Sequence, residues 1–182
     1  HPFTVTGVAK GSGMISPDLA TMLCFICTDI GAPPDLLKRA LSVSVDQSFN
    51  RITVDGDTST NDTVILMANG LSGAVIATEE DRISFQYVLD DVLMLLAEKI
   101  VRDGEGATKL IRIEVKGALS DNDARKVANT IANSNLVKTA FFGEDANWGR
   151  ILAAAGRAGV SFDPESTDIF FDDVLMVKNG VG

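Results

Sequence analysis

The sequence predicts an α/β protein built on a mixed β-sheet, and three observations support this class. Short apolar runs typical of buried strands alternate with longer segments whose apolar residues recur at helical spacing. Residues 110–116 alternate apolar and charged side chains, which is typical of a half-buried strand. The 182 residues, 46% of them hydrophobic, can bury the core of one domain of ordinary size or form a large piece of a longer protein.

The first 102 residues are predicted to form three strands and two helices. The apolar run that ends at Thr28-Asp29 is short enough for a buried strand, and Pro33-Pro34-Asp35 is a helix-start signal. Ile52-Thr53-Val54 alternates before a polar stretch, and apolar residues return after it. The predicted bounds are 21–28, 52–54 and 64–67 for the strands and 33–49 and 84–102 for the helices.

The remaining residues are predicted to add a strand, two helices and a last strand. After the alternating segment 110–116, Ser120 is a candidate N-cap with Asp123 three residues on. Asn147 is a candidate cap for a second helix, which Gly159 closes. The predicted bounds are 110–116 and 168–177 for the strands and 120–131 and 148–158 for the helices.

Composition and charge indicate small-molecule chemistry. A formal net charge of −9, with basic residues dispersed among acids, argues against nucleic acid as a partner. The apolar runs are far shorter than the roughly 20 residues that a membrane span needs. The opening residues, His1-Pro2-Phe3, do not resemble a signal peptide, so the chain is expected to begin inside a longer gene product.

Neither the cysteines nor the acidic loop predicts a metal site. Cys24 and Cys27 lie in one apolar run without a second pair, so both are expected to be buried, reduced thiols, which suits a reducing compartment such as a cytosol. Loop 55–62 superficially resembles a calcium loop, but residues 59, 60 and 66 lack the required ligands or glycine. Its carboxylates and hydroxyls are expected to bond to loop backbone near the site.

The histidine count restricts the catalytic possibilities. With His1 as the only histidine, a Ser-His-Asp or Cys-His system within this chain is nearly excluded, so a hydroxyl nucleophile needs another base. A freed α-amino group, with a pKa of about 7.7 to 8.0, can serve on an N-terminal threonine. That threonine must first be exposed by cutting the peptide bond before it.

Four sequence blocks point to the position of such a cut. Residues 10–23 read K-G-S-G-M-I-S-P-D-L-A-T-M-L, and this stretch resembles the processing site of the ornithine acetyltransferase family, which is cut between Ala and Thr. The blocks 54–63, 103–109 and 143–150 also resemble the family and follow its order. The chain is therefore identified as similar to a part of a member of this family.

The resemblance implies a fold and a set of site residues. It implies a layered α/β/β/α sandwich with mixed sheets of the N-terminal-nucleophile type, divided by processing into residues 1–20 of an α subunit and 21–182 of a β subunit within one structural domain. Thr21 would be the nucleophile, after self-cleavage at Ala20-Thr21, for acetyl transfer from N-acetylornithine to glutamate in arginine biosynthesis. Lys10 and Glu105 match substrate-contacting positions, and acetyl-CoA is a second candidate donor.

The resemblance also implies partners and location. It implies a heterotetramer of α and β chains, and an enzyme that is cytoplasmic, or in the mitochondrial matrix if the source is a eukaryote. No cofactor and no metal are expected. A Thr-Gly pair that helps stabilise the oxyanion, and a tail that completes the pocket, belong to parts of the family sequence outside this chain.

Two alternative functions and the role of one pair of residues stay open at this stage. One is an N-terminal-nucleophile amidohydrolase or aminopeptidase, in which water replaces the acceptor amine. Another is a non-catalytic, unprocessed domain that only pairs with partner chains. Within the fourth block, Trp148 and Arg150 either contact substrate or help to pack a helix capped by Asn147, and the second interpretation is favoured.

Overall fold

A computed structural model describes residues 2–16, 22–58 and 61–182 of the chain. The sequence predicted one structural domain, and the chain groups into two compact units, His1–Ala107 and Thr108–Gly182. Among the helices of residues 2–16, 22–58 and 61–182, none has both the length and the apolar character of a membrane span. The first unit contains all the described residues that flank the predicted cleavage bond.

The first unit is built on a mixed three-stranded sheet. Strands β1 (Val5–Lys10), β2 (Leu23–Thr28) and β3 (Thr63–Ala68) lie in the order β1-β2-β3, with β1 antiparallel and β3 parallel to β2. The predicted class, α/β with a mixed sheet, is confirmed. Strand β1 was not predicted, because its central glycine weakens the strand pattern.

Two helices cover one face of this sheet. Helix α1 (Pro34–Gln47) begins at the predicted proline signal, and helix α2 (Glu79–Arg102) starts five residues before the predicted bound. The early start follows from a capping box, in which Thr78 accepts a hydrogen bond from the backbone N–H of Asp81 and the Asp81 carboxylate accepts from Thr78. The core between helices and sheet includes Ile15, Cys24, Ile26, Phe85, Leu89 and Leu93, all at 0% exposure.

The predicted strand at residues 52–54 is wrong. A 3₁₀ turn occupies Phe49–Arg51, and the residues after it pair with no strand. Val54 instead donates its backbone N–H to the carbonyl oxygen of Ile15 at 2.7 Å. Three alternating residues are too few to specify a strand. The backbone of Val54 bonds to a loop residue, Ile15, instead of to a partner strand.

The second unit packs three helices and a hairpin. Its helices are α3 (Asp121–Ala132), α4 (Asn135–Phe142) and α5 (Trp148–Ala155), and its hairpin joins β4 (Ile169–Phe171) to β5 (Val174–Val177). The predicted N-caps are confirmed, since Ser120 and Asn147 accept from the backbone N–H groups of Asp123 and Arg150. Helix α4 was not predicted.

Two strand predictions in this unit need correction. Residues 110–116 form no strand, because no described segment pairs with them and alternation alone makes no ladder hydrogen bonds. The single strand predicted at 168–177 is a hairpin instead, and Asp172 at its turn has a φ of 50°, in the left-handed region.

Candidate active site

Lys10 lies at the end of strand β1, beside the strand that follows the predicted nucleophile. It is exposed and is paired in register with Leu23, which in turn is paired with Thr63. Because side chains alternate along a strand, Lys10 shares the face of Val8 that the helices do not cover. Among the described residues its ammonium group has no hydrogen-bond or ion-pair partner, so it is available to an anionic ligand.

Glu105 lies in the loop after helix α2 and binds the segment that follows Lys10. Its backbone N–H donates to the carbonyl oxygen of Ser12 at 2.7 Å. Its Oε2 atom lies 3.3 Å from the place where a Cβ at Gly13 would stand. The structure therefore brings Lys10 and Glu105 to the same stretch, residues 10–13, with exposed groups of opposite charge.

The glycines on either side of Glu105 have structural roles. A Cβ on Gly104 would lie 3.0 Å from both methyl groups of Val54 and 3.1 Å from the carbonyl oxygen of Val101. Gly106 has a φ of 70°, which a side chain disfavours. In the described structure, Gly104 packs closely against Val54 and the backbone of Val101. This packing fixes the loop that carries Glu105.

Asp55 holds the chain immediately before the predicted cleavage segment. Its carboxylate accepts the backbone N–H groups of Met14 at 2.6 Å and Ile15 at 3.1 Å, and also that of Asp57 at 3.0 Å. Met14 has a φ of 53°, in the left-handed region that non-glycine residues rarely occupy. Hydrogen bonds on both sides of this turn, together with full burial of the Ile15 side chain, offset the backbone strain.

Asp62 holds the chain immediately after the predicted cleavage bond. Its Oδ1 accepts the backbone N–H of Met22 at 2.8 Å, and Thr63 donates its N–H to the carbonyl oxygen of Met22 at 3.0 Å. Burial raises the pKa of Asp62, and the hydrogen bond from Met22 opposes that rise. The backbone of Met22 is therefore held at both its donor and its acceptor.

A cavity of about 530 Å³ lies against both ends of the same segment. Its wall includes Ser16 on one side and Met22 with Asp62 on the other, and helix α1 contributes Lys38 and Asp46. The volume suits a small-molecule ligand. Neither Lys10 nor Glu105 is among the described residues that line it.

The predicted nucleophile Thr21, and Ala20 before it, lie outside the described residues. Their roles in cleavage and acetyl transfer stay predictions, as do the substrate contacts of Lys10 and Glu105. The prediction that carboxylates of loop 55–62 bond to nearby backbone is confirmed by Asp55 and Asp62. Sequence reasoning named the loop but missed these two residues, since their backbone partners lie some 40 positions away.

The fourth sequence block has a structural role within the second unit. Arg150 donates to the carbonyl oxygen of Leu136 at 3.0 Å and to Oγ1 of Thr139 at 3.2 Å, which fixes α5 to α4. Trp148 is half-buried at the first residue of α5. Across residues 2–16, 22–58 and 61–182, no three His, Cys, Asp or Glu side chains are grouped to hold a metal ion.

Comparison with known proteins defines the class of this chain. The crystal structure of the arginine biosynthesis bifunctional protein from Bacillus halodurans aligns with a TM-score of 0.79 at 46% identity, over 84% of this chain and 72% of that one. The arginine biosynthesis bifunctional proteins of Geobacter sulfurreducens and Thermotoga neapolitana are 54% and 55% identical over 98% of this chain. The chain therefore shares its mixed-sheet α/β fold with the Bacillus protein.

The family model matches residues 1–182, and the chain belongs to the ArgJ family. It spans 46% and 47% of the length of the Geobacter and Thermotoga relatives, just under half of each.

Proposed function

We propose that the full-length protein transfers an acetyl group from N-acetylornithine to glutamate in arginine biosynthesis, with Thr21 as an N-terminal nucleophile. The family match over the whole chain carries this proposal. The arrangement of Lys10, Glu105 and the two aspartates around residues 10–22 supports it. The enzyme would be a heterotetramer of α and β chains. It would be cytoplasmic, or in the mitochondrial matrix if the source is a eukaryote.

The first proposed step is self-cleavage. The Thr21 hydroxyl attacks the carbonyl carbon of Ala20, the C–N bond breaks, and the hydroxyl proton passes to the freed nitrogen, leaving an ester. Water then hydrolyses the ester to give a carboxylate on Ala20 and a free α-amino group on Thr21. This amine serves as the general base, so the single histidine of the chain, His1, is not needed for that role.

The second step is acetyl transfer in two halves. The Thr21 oxygen attacks the acetyl carbonyl of N-acetylornithine while the α-amino group accepts its proton, and ornithine leaves with that proton as the C–N bond breaks. The amine of glutamate then attacks the acetyl ester, which forms N-acetylglutamate and restores the hydroxyl. Acetyl-CoA is a second candidate donor for the same acetyl-threonine.

Lys10 and Glu105 are proposed to bind the two ends of the amino-acid substrate. An ammonium group pairs with an α-carboxylate, and a carboxylate pairs with the ammonium of ornithine. Both side chains are exposed, and Glu105 is fixed through its own backbone at Ser12. Replacing Glu105 by Gln is expected to impair the use of ornithine substrates. The loss of activity is expected to be larger than any decrease in the free energy of unfolding explains.

Mass spectrometry of the full-length product tests the proposal first, since a new terminus at Thr21 is required. Thr21→Ala is expected to leave the chain uncut and to abolish acetyl transfer. Assays with N-acetylornithine, with and without glutamate, separate the remaining alternatives. Acetate released irrespective of glutamate indicates an amidohydrolase, and an uncut protein without either activity indicates a non-catalytic domain.

A further inference from the structure

We propose that Asp62, assisted by Asp55, is a positioning residue for the self-cleavage reaction, because the two carboxylates hold the backbone on either side of the segment that contains the Ala20-Thr21 bond. This inference rests on the proposed function of Thr21. It concerns side chains that do not themselves react.

The two aspartates belong to one loop and hold two separate points of the chain. Asp55 accepts from Met14 and Ile15, and Asp62 accepts from Met22. The carbonyl oxygens of Ile15 and Met22 are held by the residues that flank this loop, since Val54 donates to Ile15 and Thr63 donates to Met22. Loop 55–62 and the residues next to it therefore bond to the backbone of Met14, Ile15 and Met22.

Asp62 has the more direct effect on the reacting residue. Met22 is joined to Thr21 by a peptide bond, so the hydrogen bonds of Met22 hold the backbone one residue after the proposed nucleophile. Met22 itself is 4% exposed and packs in the core, so its side chain anchors the same point. An attack on a neighbouring carbonyl depends steeply on geometry, and a misplacement of about 1 Å can cost a factor of about a hundred.

A carboxylate suits this position better than a neutral acceptor. Hydrogen bonds from backbone N–H groups to a charged oxygen are shorter and about twice as strong as neutral ones. Asp62 is half-buried, so water competes less for its oxygen than it does at the surface. An asparagine at the same position keeps an oxygen acceptor but loses the charge, which provides a graded test.

The test uses the full-length precursor made by cell-free synthesis, with the uncut fraction followed over time. Asp62→Ala is expected to slow self-cleavage about a hundredfold. Asp62→Asn is expected to recover most of that loss, within about tenfold of the parent rate, because its amide oxygen still accepts from Met22. Asp57→Ala is the matched control, since Asp57 is an exposed acid of the same loop and its carboxylate has no partner among the described residues.

A second measurement separates positioning from folding. The two chains are produced already divided, one ending at Ala20 and the other starting at Thr21, so that turnover no longer requires self-cleavage. Asp62→Ala is then expected to lower kcat with KM nearly unchanged, because the nucleophile is misplaced while the substrate contacts are kept. A merely structural role would instead lower the thermal midpoint and leave the kcat of the folded fraction intact.

Parent-rate cleavage in Asp62→Ala, equal slowing in Asp62→Ala and Asp57→Ala, or no recovery in Asp62→Asn would each overturn the inference. Thr21→Ala distinguishes this from failure of the proposed function. If Thr21→Ala is still cut at the same bond, the proposed function is wrong. If Thr21→Ala is uncut while Asp62→Ala behaves like the parent, only the role of Asp62 is wrong.

Discussion

The two faces of the β1-β2-β3 sheet both carry apolar side chains and differ in what covers them. On the face toward the helices, Cys24 and Ile26 are at 0% exposure. On the opposite face, Val8, Phe25 and Ile65 form one cross-strand row and are 63%, 39% and 39% exposed. Alternation along each strand supplies apolar side chains to both faces, but the described helices bury only one.

This difference is the one expected for the layered α/β/β/α fold that the resemblance implies. In an α/β/β/α arrangement, helices cover one face of a sheet and a second sheet packs against the other. The described residues of the first unit provide one helix layer and one sheet layer, and the second face of that sheet is apolar and uncovered. We expect the second sheet to come from the remainder of the full-length protein and to pack on the open face.

The largest effect is expected at a phenylalanine of the core beneath the covered face. Phe85 of helix α2 is at 0% exposure, and its ring centroid lies 6.0 Å from that of Phe3. Replacing Phe85 by Ala in this chain is expected to lower the free energy of unfolding by about 3–5 kcal/mol, through lost burial and the cavity left behind. Urea unfolding measures the change.

Phe25→Ala on the open face is the matched control for that experiment. Because Phe25 is already 39% exposed in this chain, its loss is expected to cost about half as much or less. Equal costs for Phe25→Ala and Phe85→Ala in the isolated chain would contradict the assignment of one covered and one open face.

A smaller effect is expected where β1 meets helix α2. A Cβ on Gly7 would lie 2.7 Å from Cδ1 of Ile26 and 2.9 Å from Cδ1 of Leu96, both of them core side chains. Gly7→Ala is therefore expected to cost about 1–3 kcal/mol through overpacking. Thr6→Ala, one residue away on the open face, is expected to cost under about 1 kcal/mol. A neutral or stabilising Gly7→Ala in thermal unfolding would show that the covered face has room to spare.

The same glycine shows what the sequence could and could not predict of the fold. Strand β2 and helix α1 carry strong local signals, a short apolar run and a double proline, and both were predicted close to their observed positions. Strand β1 has a glycine at its centre because helix α2 lies close there, and that reason exists only in three dimensions. Residues 110–116 show the reverse case, an alternating pattern for which the described structure supplies no partner strand.

The candidate site divides in a similar way. Residues 10–23 and the loop of Glu105 were identified by their resemblance to a family, and the structure brings Lys10 and Glu105 to the same stretch. The particular roles of Asp55 and Asp62 could not be predicted, because a loop carboxylate can bond to any backbone that tertiary folding brings near it. Cys27 was mispredicted as buried, since three positions along a strand place it on the opposite face from Cys24.

A still smaller effect is expected at the N-terminus of helix α2, which supports the covered face. Thr78→Ala is expected to cost about 1 kcal/mol by removing the N-cap. The side-chain hydrogen bond from Thr78 is the main cause that lowers the pKa of Asp81, ahead of the backbone N–H groups of Thr78 and Ala77. Asp81→Asn tests the acid of this capping box. Glu80→Gln is its matched control, since both substitutions remove one acid from the first turn and only Asp81 belongs to the capping box.

The lowered pKa fixes the pH dependence of that comparison. A carboxyl whose pKa is lower in the folded state stabilises the fold above its unfolded pKa of about 3.9 and loses this contribution as pH falls through the folded pKa. The stability difference between the parent and Asp81→Asn is therefore expected to be full at neutral pH and to shrink in strong acid. Thermal unfolding at several pH values measures it, and a difference that grows toward low pH would contradict the capping role.

The smallest effect concerns chemical labelling of the two cysteines, which differ in burial. Burial raises the pKa of Cys24 to about 11, so at pH 8 only about a thousandth of it is the reactive thiolate. Cys27 is exposed on the open face. A thiol reagent is thus expected to label one cysteine in the native chain, with Cys27→Ala abolishing the labelling and Cys24→Ala leaving it unchanged.

In the full-length protein, a second sheet packed on the open face would also slow labelling of Cys27. Equally fast labelling of Cys27 in both proteins would place the second sheet elsewhere, since a thiol under a packed sheet cannot meet the reagent without local unfolding.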